Sequence, residues 1–514
     1  MTAQAGSAIW FAWHEARLAW RDWFALMTGG KRRRWRRALI AIAVFIVFMH
    51  FVAYWMVGRY AEAVADKTTL VTLTASLLLS WLLMVSQAME STTRAFYSRS
   101  DLDLILASPA AVEKLFAVRI ATVAASMALM AIPLAAPFIN VMVACGGWRW
   151  LGGYGLIVAM AAAATAFAVG LTVALFRLVG PRRTRFVAQV VAAVIGAAFV
   201  IGLQVAAILS YGTLSRTAVL QSETVLALAP GIDNLFWWPA RAALGDVTAL
   251  IGVLALALAL LAIAIVLVSP RFGDYGVAAA SAADMTRMGR SRRATGFRSL
   301  SPGSALRRKE WLLLRRDPWL ASQTLMQLLY LIPPALLLWR SFDQLDGAYH
   351  LLVPVLVMAA GQLGGGLAWL AISGEDAPDL VATAPVRPRF VVRAKVEAVL
   401  GAVVLIFAPL VAALAIASPW HALIAGAGIF IAAAAATAIQ LWFRSQARRS
   451  QFRRRQVSSR LATFAEAFSS IGWAATAAVA AVKIWLGIVP AVLTLLVLLG
   501  TWFLSPRTTS AEST

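Results

Sequence analysis

The chain has 514 residues, 61% of them hydrophobic and 13% charged, with a mean hydropathy of +0.78; soluble globular chains carry roughly 45–50% apolar and about 25% charged residues. Its 46 Lys and Arg against 23 Asp and Glu give a formal net charge of +23, and basic stretches can neutralise phosphates. Yet apolar runs of about 20 residues recur from Ala38 to Leu504 and leave no room for a soluble domain of ordinary size, which excludes a soluble nucleic-acid-binding fold. The single cysteine, Cys145, has no disulfide partner in the chain, and no Cys/His cluster has the spacing of a zinc site.

The first predicted element is a helix over Ala8 to Met27. At 100° per residue Ile9, Trp10, Trp13, Trp20, Trp23, Phe24 and Met27 share one arc, and His14, Glu15, Arg21 and Asp22 share the other; Phe11 and Leu18 break the pattern. The charges exclude the apolar core of a cleaved signal. A helix lying in the headgroup plane fits instead.

Twelve runs of spanning length follow, at about 38–57, 69–89, 115–143, 151–178, 186–210, 247–268, 323–340, 351–373, 394–417, 420–443, 461–483 and 485–504. The cluster Lys31 to Arg37 directly before the first span places the N-terminus in the cytoplasm. Alternation from there leaves only Arg59, Lys67, Arg149, Arg216, Arg241, Arg340 and Lys483 outside among the basic residues. The entire positive excess then lies inside, and both termini are cytoplasmic.

The chain also repeats itself. Glu15 precedes Arg21-Asp22-Trp23 by the same interval as Glu310 precedes Arg316-Asp317-Pro318-Trp319. Asp103-Leu104-Ile105-Leu106-Ala107-Ser108-Pro109 matches Asp379-Leu380-Val381-Ala382-Thr383-Ala384-Pro385, and Phe-x-x-Arg follows each at Phe116/Arg119 and Phe390/Arg393. A third pairing sets Phe176-Arg177 against Phe443-Arg444, each followed by a basic run. The expected architecture is therefore all-α and polytopic: two parallel six-helix repeats, each preceded by an interfacial amphipathic helix. Residues 1–268 form the first half, 269–303 a basic cytoplasmic linker and 304–514 the second half.

No G-x-x-x-x-G-K-[ST] occurs, so the chain carries no phosphate-cradling loop of that type. His50 is the one ionisable residue near the middle of a span, with Glu466 and His421 close to span ends; proton-driven carriers normally keep such groups in their pathways. Gly361-Gln362-Leu363-Gly364-Gly365-Gly366 reads as a surface for close helix packing, and Pro333-Pro334 as a kink in the seventh span. The basic clusters adjoin spans, where anionic lipid attracts them; no nucleic-acid partner is expected.

Two acidic, proline-ended loops stand out where basic residues otherwise dominate: Arg94 to Pro109 after the second span, and Ser373 to Pro385 after the eighth. One reading is a capped helix N-terminus that ends at a proline turn. The other is a short helix that docks in another protein, with Leu and Ile as apolar anchors and the aspartates fixing orientation. Glu15 and Glu310 divide similarly between solvated charges and a shared structural role.

Two six-span halves, each with an amphipathic helix before its first span and an acidic loop such as Phe96-Tyr97-Ser98-Arg99-Ser100-Asp101-Leu102-Asp103-Leu104 after its second, resemble the ABC-2-type membrane permeases of ATP-binding-cassette exporters, in a fused two-half form. The resemblance covers most of the chain in topology and is carried at residue level by Phe96–Pro109 and Glu375–Pro385. It implies that Asp101, Asp103, Leu104 and Pro109, with Asp376, Asp379, Leu380 and Pro385, couple to a separate cytoplasmic ATPase. It also implies interfacial helices marked by Glu15, Arg21, Asp22, Glu310, Arg316 and Asp317. The chain would then be a transport subunit of a bacterial-type inner membrane, not an enzyme and without a cofactor of its own, with ATP and Mg2+ held by two copies of the partner.

In such permeases an outer re-entrant or interfacial helix precedes the sixth span, and Ala229 to Pro239 resembles it; an aromatic loop on the headgroups is the other reading. The alternative function is a gradient-driven transporter of the major-facilitator type, which shares the six-plus-six parallel repeat. Its G-x-x-x-D-R-x-G-R pattern is missing from the loop after span two. A membrane enzyme would need convergent acid, base or metal groups, and Asp233, Asp246, Asp343 and Asp346 are scattered.

Overall fold

The structure is a computed structural model that describes residues 7–28, 35–60, 62, 64–97, 112–211, 219–271, 301–316, 348–373, 378–443 and 460–505, with isolated positions between 325 and 336. All regular structure among the described residues is helical, and ten helices are long and apolar enough to cross a membrane. The chain is an all-α, multi-pass membrane protein. The ten match ten of the twelve expected spans. The first expected span lies in the helix Trp35–Val57, and the seventh falls largely outside the described residues, together with Pro334 of the expected kink. The helix of the second span runs on to Tyr97 rather than 89, and that of the ninth starts at Pro388 rather than 394. A proline at the first helical position lacks only an N–H that would have no partner there.

The chain divides into two compact units, residues 1–200 with 216–293, and residues 201–215 with 294–514. In the first, α1 (Ala8–Thr28) packs on α2 (Trp35–Val57) and α4 (Val112–Gly146), while α5 (Gly152–Val179) packs against α3 (Lys67–Tyr97), α4 and α9 (Val247–Val268). One side of α5 seats Ala159, Ala162, Val169 and Val173 against Phe116 and Ile120 of α4 and Ala257 and Leu261 of α9. Another seats Ala161, Ala164 and Ala168 against Val85, Ala88 and Met89 of α3, with Ala188 and Ala192 of α6 (Pro181–Tyr211). Small residues are needed here because lipid is as apolar as Leu, so close packing must replace hydrophobic drive.

The connection to α9 is folded. It contains α7 (Glu223–Leu228), a 3-10 turn at Leu235–Trp237 and α8 (Trp238–Ala243). Trp237 is 2% exposed and its indole N–H donates to the carbonyls of Pro230 and Gly231, so it is a core residue rather than a headgroup anchor. Trp238 lies against Gly252, where any Cβ would collide with its ring.

Asp246 caps α9. Its Oδ1 accepts hydrogen bonds from the N–H groups of Thr248 and Ala249 and from the Thr248 hydroxyl, and Arg241 pairs with Oδ2 at 2.9 Å. The Thr248 hydroxyl first, then the Ala249 N–H and Arg241, hold the carboxyl below the usual carboxylate range. Replacing Asp246 by alanine is expected to cost about 1 kcal/mol, as loss of a cap does. Because the folded value lies below the unfolded one, this contribution is present above the ordinary carboxylate range. It is lost as pH falls through the depressed value. Thermal unfolding in detergent should show a gap between wild type and variant at neutral pH that closes in acid.

The second unit is built on α11 (Ala348–Ser373), α13 (Pro388–Ala417), α14 (Pro419–Trp442), α15 (Arg460–Val482) and α16 (Ile488–Leu504), with α10 (Pro302–Arg316) packed on α11 and α13. The expected glycine surface on α11 is a packing surface. A Cβ at Gly364 would press on the backbone of Ala433 of α14, and one at Gly361 would lie 2.5 Å from the hydroxyl of Ser470 of α15.

Candidate functional site

The charged network at the start of α13 is the most concentrated polar arrangement described in the second unit. Glu310, on α10, is fully buried, and Lys395 of α13 lies 3.1 Å from its Oε1 and 3.2 Å from its Oε2. Lys309 approaches the same carboxylate at 3.3 Å. The Lys395 ammonium also donates to the carbonyl of Ala371, near the end of α11. Two residues further along α13, Glu397 accepts from Arg393, one turn before it, and from Arg307 of α10, each at 2.7 Å. Three helices are therefore clamped by one part-buried lysine and one half-exposed glutamate.

Burying Glu310 costs several kcal/mol in desolvation, which the attraction to two ammonium groups offsets only while the geometry holds. The more exposed Glu397 pairs contribute little each, about 0–1 kcal/mol. Trp311 adds an apolar contact, its ring set against Gly401 of α13.

Between α11 and α13 lies α12 (Pro378–Thr383), the described part of the second acidic loop. Lys395 thus closes this loop from its α13 side onto its α11 side. Leu380 of α12 is 72% exposed and Pro385 beyond it is exposed too. Asp379 falls within α12; Asp376 lies outside the described residues, as do Asp101, Asp103, Leu104 and Pro109 of the first loop.

The first unit carries a similar anchor. Glu15 of α1 lies 4.0 Å from Arg119 of α4, and the Arg119 guanidinium sits 5.7 Å from the Phe116 ring. The two residues that break the amphipathic pattern of α1 now have a reason. Phe11, Glu15 and Leu18 recur at helical spacing and are the less exposed positions, whereas Ile9 and Trp13 are about two-thirds exposed, at 66% and 67%. Among the described side chains of the tryptophan arc, Ile9, Trp10 and Trp13 are exposed, and Glu15 faces inward. Glu15 and Glu310 share this role. Of their neighbours, Arg21 is exposed, Asp22 and Arg316 lie within α1 and α10, and Asp317 is outside the described residues.

Lys395 and Glu397 were not found by the motif search. Glu397 had a signal, the i, i+4 spacing from Arg393 on a helix. Lys395 had none, because its partner is 85 residues away. The repeat also misleads by two positions, since it aligns Arg119 with Arg393 whereas the residue that reaches Glu310 is Lys395. No family model, no curated protein and no solved structure matches this chain.

Proposed function

We propose that this chain is the transmembrane permease of an ATP-driven exporter of the ABC-2 type, moved by a separate cytoplasmic ATPase, in two copies, that docks on the acidic loops after the second span of each half. The observation that carries this reading is the clamp at Lys395. A segment offering an exposed leucine is bracketed by two helix ends that one part-buried ammonium holds together and ties to α10, so a push on α12 would be passed to three helices at once. The anchor from Glu15 to Arg119 supports the same arrangement in the first half. In this reading both termini are cytoplasmic, the membrane is a bacterial-type inner membrane, the basic flanks meet anionic lipid, and ATP and Mg2+ belong to the partner.

The test is affinity purification of the tagged protein in mild detergent from its native membrane, with mass spectrometry and an ATP-hydrolysis assay of the eluate. A stoichiometric ATP-binding-cassette subunit is expected. Charge reversal at Asp101 and Asp103 with Asp376 and Asp379 is expected to reduce its recovery at least severalfold while leaving the thermal unfolding of the permease unchanged. Recovery equal to wild type would overturn the docking assignment. A gradient-driven transporter is the second reading, favoured by one observation: Glu466 carries a carboxylate into a spanning helix. Substrate uptake by the purified chain alone in liposomes under an ion gradient would establish it instead.

A further inference from the structure

The seam between α11 and α15 holds a polar group that the clamp does not use. Glu466 is six positions into α15, about 9 Å from its start at 1.5 Å per residue. Its Oε2 accepts a hydrogen bond from the amide of Gln440, on α14, at 2.7 Å, and Gln440 is itself buried. Its Oε1 lies against Gly365 of α11, where any Cβ would collide with it. One turn further along α15, Ser470 is 1% exposed, its hydroxyl has no hydrogen-bond partner, and it lies against Gly361, one turn back along α11. Trp473, on the same face of α15, is buried with its indole N–H also unpartnered. Glycines on one helix thus leave a lane that a carboxyl, a hydroxyl and an indole N–H line from the other.

Close packing explains why glycines are present but not why the facing side chains are polar. Three helices that needed only to pack would present Ala or Leu there, because an unpartnered hydroxyl and a lone carboxylate both carry a desolvation cost. No basic side chain balances Glu466 within 4 Å among the described residues. His421 begins α14, 19 residues or about 28 Å from Gln440. His350 precedes Gly365 by 15 residues or about 22 Å, and Arg460 opens α15 itself. The described part of α16 carries no titratable residue.

We propose that Glu466 is a proton-binding site: a proton taken up on its carboxyl neutralises the one acid in the α11, α14 and α15 seam, and its release places a negative charge against the backbone of α11. Gln440 positions the carboxyl through Oε2, leaving Oε1 as the atom that gains and loses the proton, with Ser470 the next hydroxyl along the lane. The inference stands apart from the ATPase reading, since it holds whatever drives transport.

The test is an infrared pH titration of the full chain in phosphatidylcholine liposomes. A carboxylic C=O band that disappears as pH rises is expected in wild type and absent from Glu466→Gln, a change that keeps size and hydrogen-bonding capacity. Gln440→Leu, which leaves the acid in place, is expected to shift that band, so the assignment does not depend on one variant folding. Identical pH-difference spectra for wild type and Glu466→Gln would overturn the proposal. A band midpoint that moves with sodium but not with choline would overturn it in favour of a metal cation. Loss of ATPase recovery in the purification above would leave this result untouched, so the two readings fail separately.

Discussion

Lys395→Met is expected to destabilise the second unit by about 3 kcal/mol, the lower end of the cost of leaving a buried charge without its partner. The stem of methionine fills the space of the lysine chain, so little of the loss comes from packing. It comes from Glu310, which is fully buried and among the described residues would keep Lys309 alone, at 3.3 Å, as a cation. The Ala371 carbonyl would lose a charge-assisted donor as well. Adding Glu310→Gln to Lys395→Met is expected to recover most of the stability, because no buried charge is then left over. Thermal unfolding in detergent measures both. A loss below about 1 kcal/mol in the single variant, within the range of exposed ion pairs, would show that Lys395 is not the clamp. On the proposed permease reading, a double variant that folds like wild type yet uncouples ATP hydrolysis from transport would show that the pair transmits motion as well as holding the helices.

The second large effect is expected at Gly365. An alanine there must displace the Glu466 carboxyl, break its bond to Gln440 and force the acid between α11, α14 and α15. Overpacking of this kind costs about 1–3 kcal/mol before the lost hydrogen bond is counted. Gly366, the next residue, has open space where its Cβ would be. Alanine at Gly366 is therefore expected to be neutral or to stabilise by up to about 1 kcal/mol, since glycine is a poor helix former. The contrast between adjacent glycines removes helix propensity as an explanation. Glu466→Ala added to Gly365→Ala is expected to restore stability, and failure of that rescue would place the strain elsewhere on α11.

The acidic loops and the interfacial helices behaved differently as sequence signals. Glu15 and Glu310 were picked out by their equal distance from Arg-Asp, and both prove to point into the protein toward a cation at the start of a spanning helix. Matched spacing carried that information because a helix that packs by one face keeps its inward residue at a fixed interval from its neighbours. Asp379 and Leu380 were picked out by their repeat as well, but only the exposure of Leu380 is added by the structure. Trp237 went the other way: an aromatic pair beside a span reads as an interface belt, yet the 3-10 turn folds Trp237 inward onto two carbonyls. Sequence neighbours cannot reveal that choice, since it depends on where the Pro230 and Gly231 backbone groups need a donor.

The class of this protein was settled by its sequence alone. Runs of apolar residues as long as a bilayer is thick permit only helices that satisfy their own backbone hydrogen bonds, and ten of the expected spans coincide with helices of spanning length. The glycine surface of α11 was legible for the same reason, because small residues in a spanning helix have close approach as their main use. The tertiary structure alone decided which polar groups meet. Lys395 finds Glu310 and Ala371, Glu466 finds Gln440 and Gly365, and these partners lie on separate helices. Hydropathy fixes how far each helix reaches but not its rotation about its own axis. Rotation is set by packing between helices, and a turn of one residue, 100°, is enough to exchange a buried carboxylate for an exposed one.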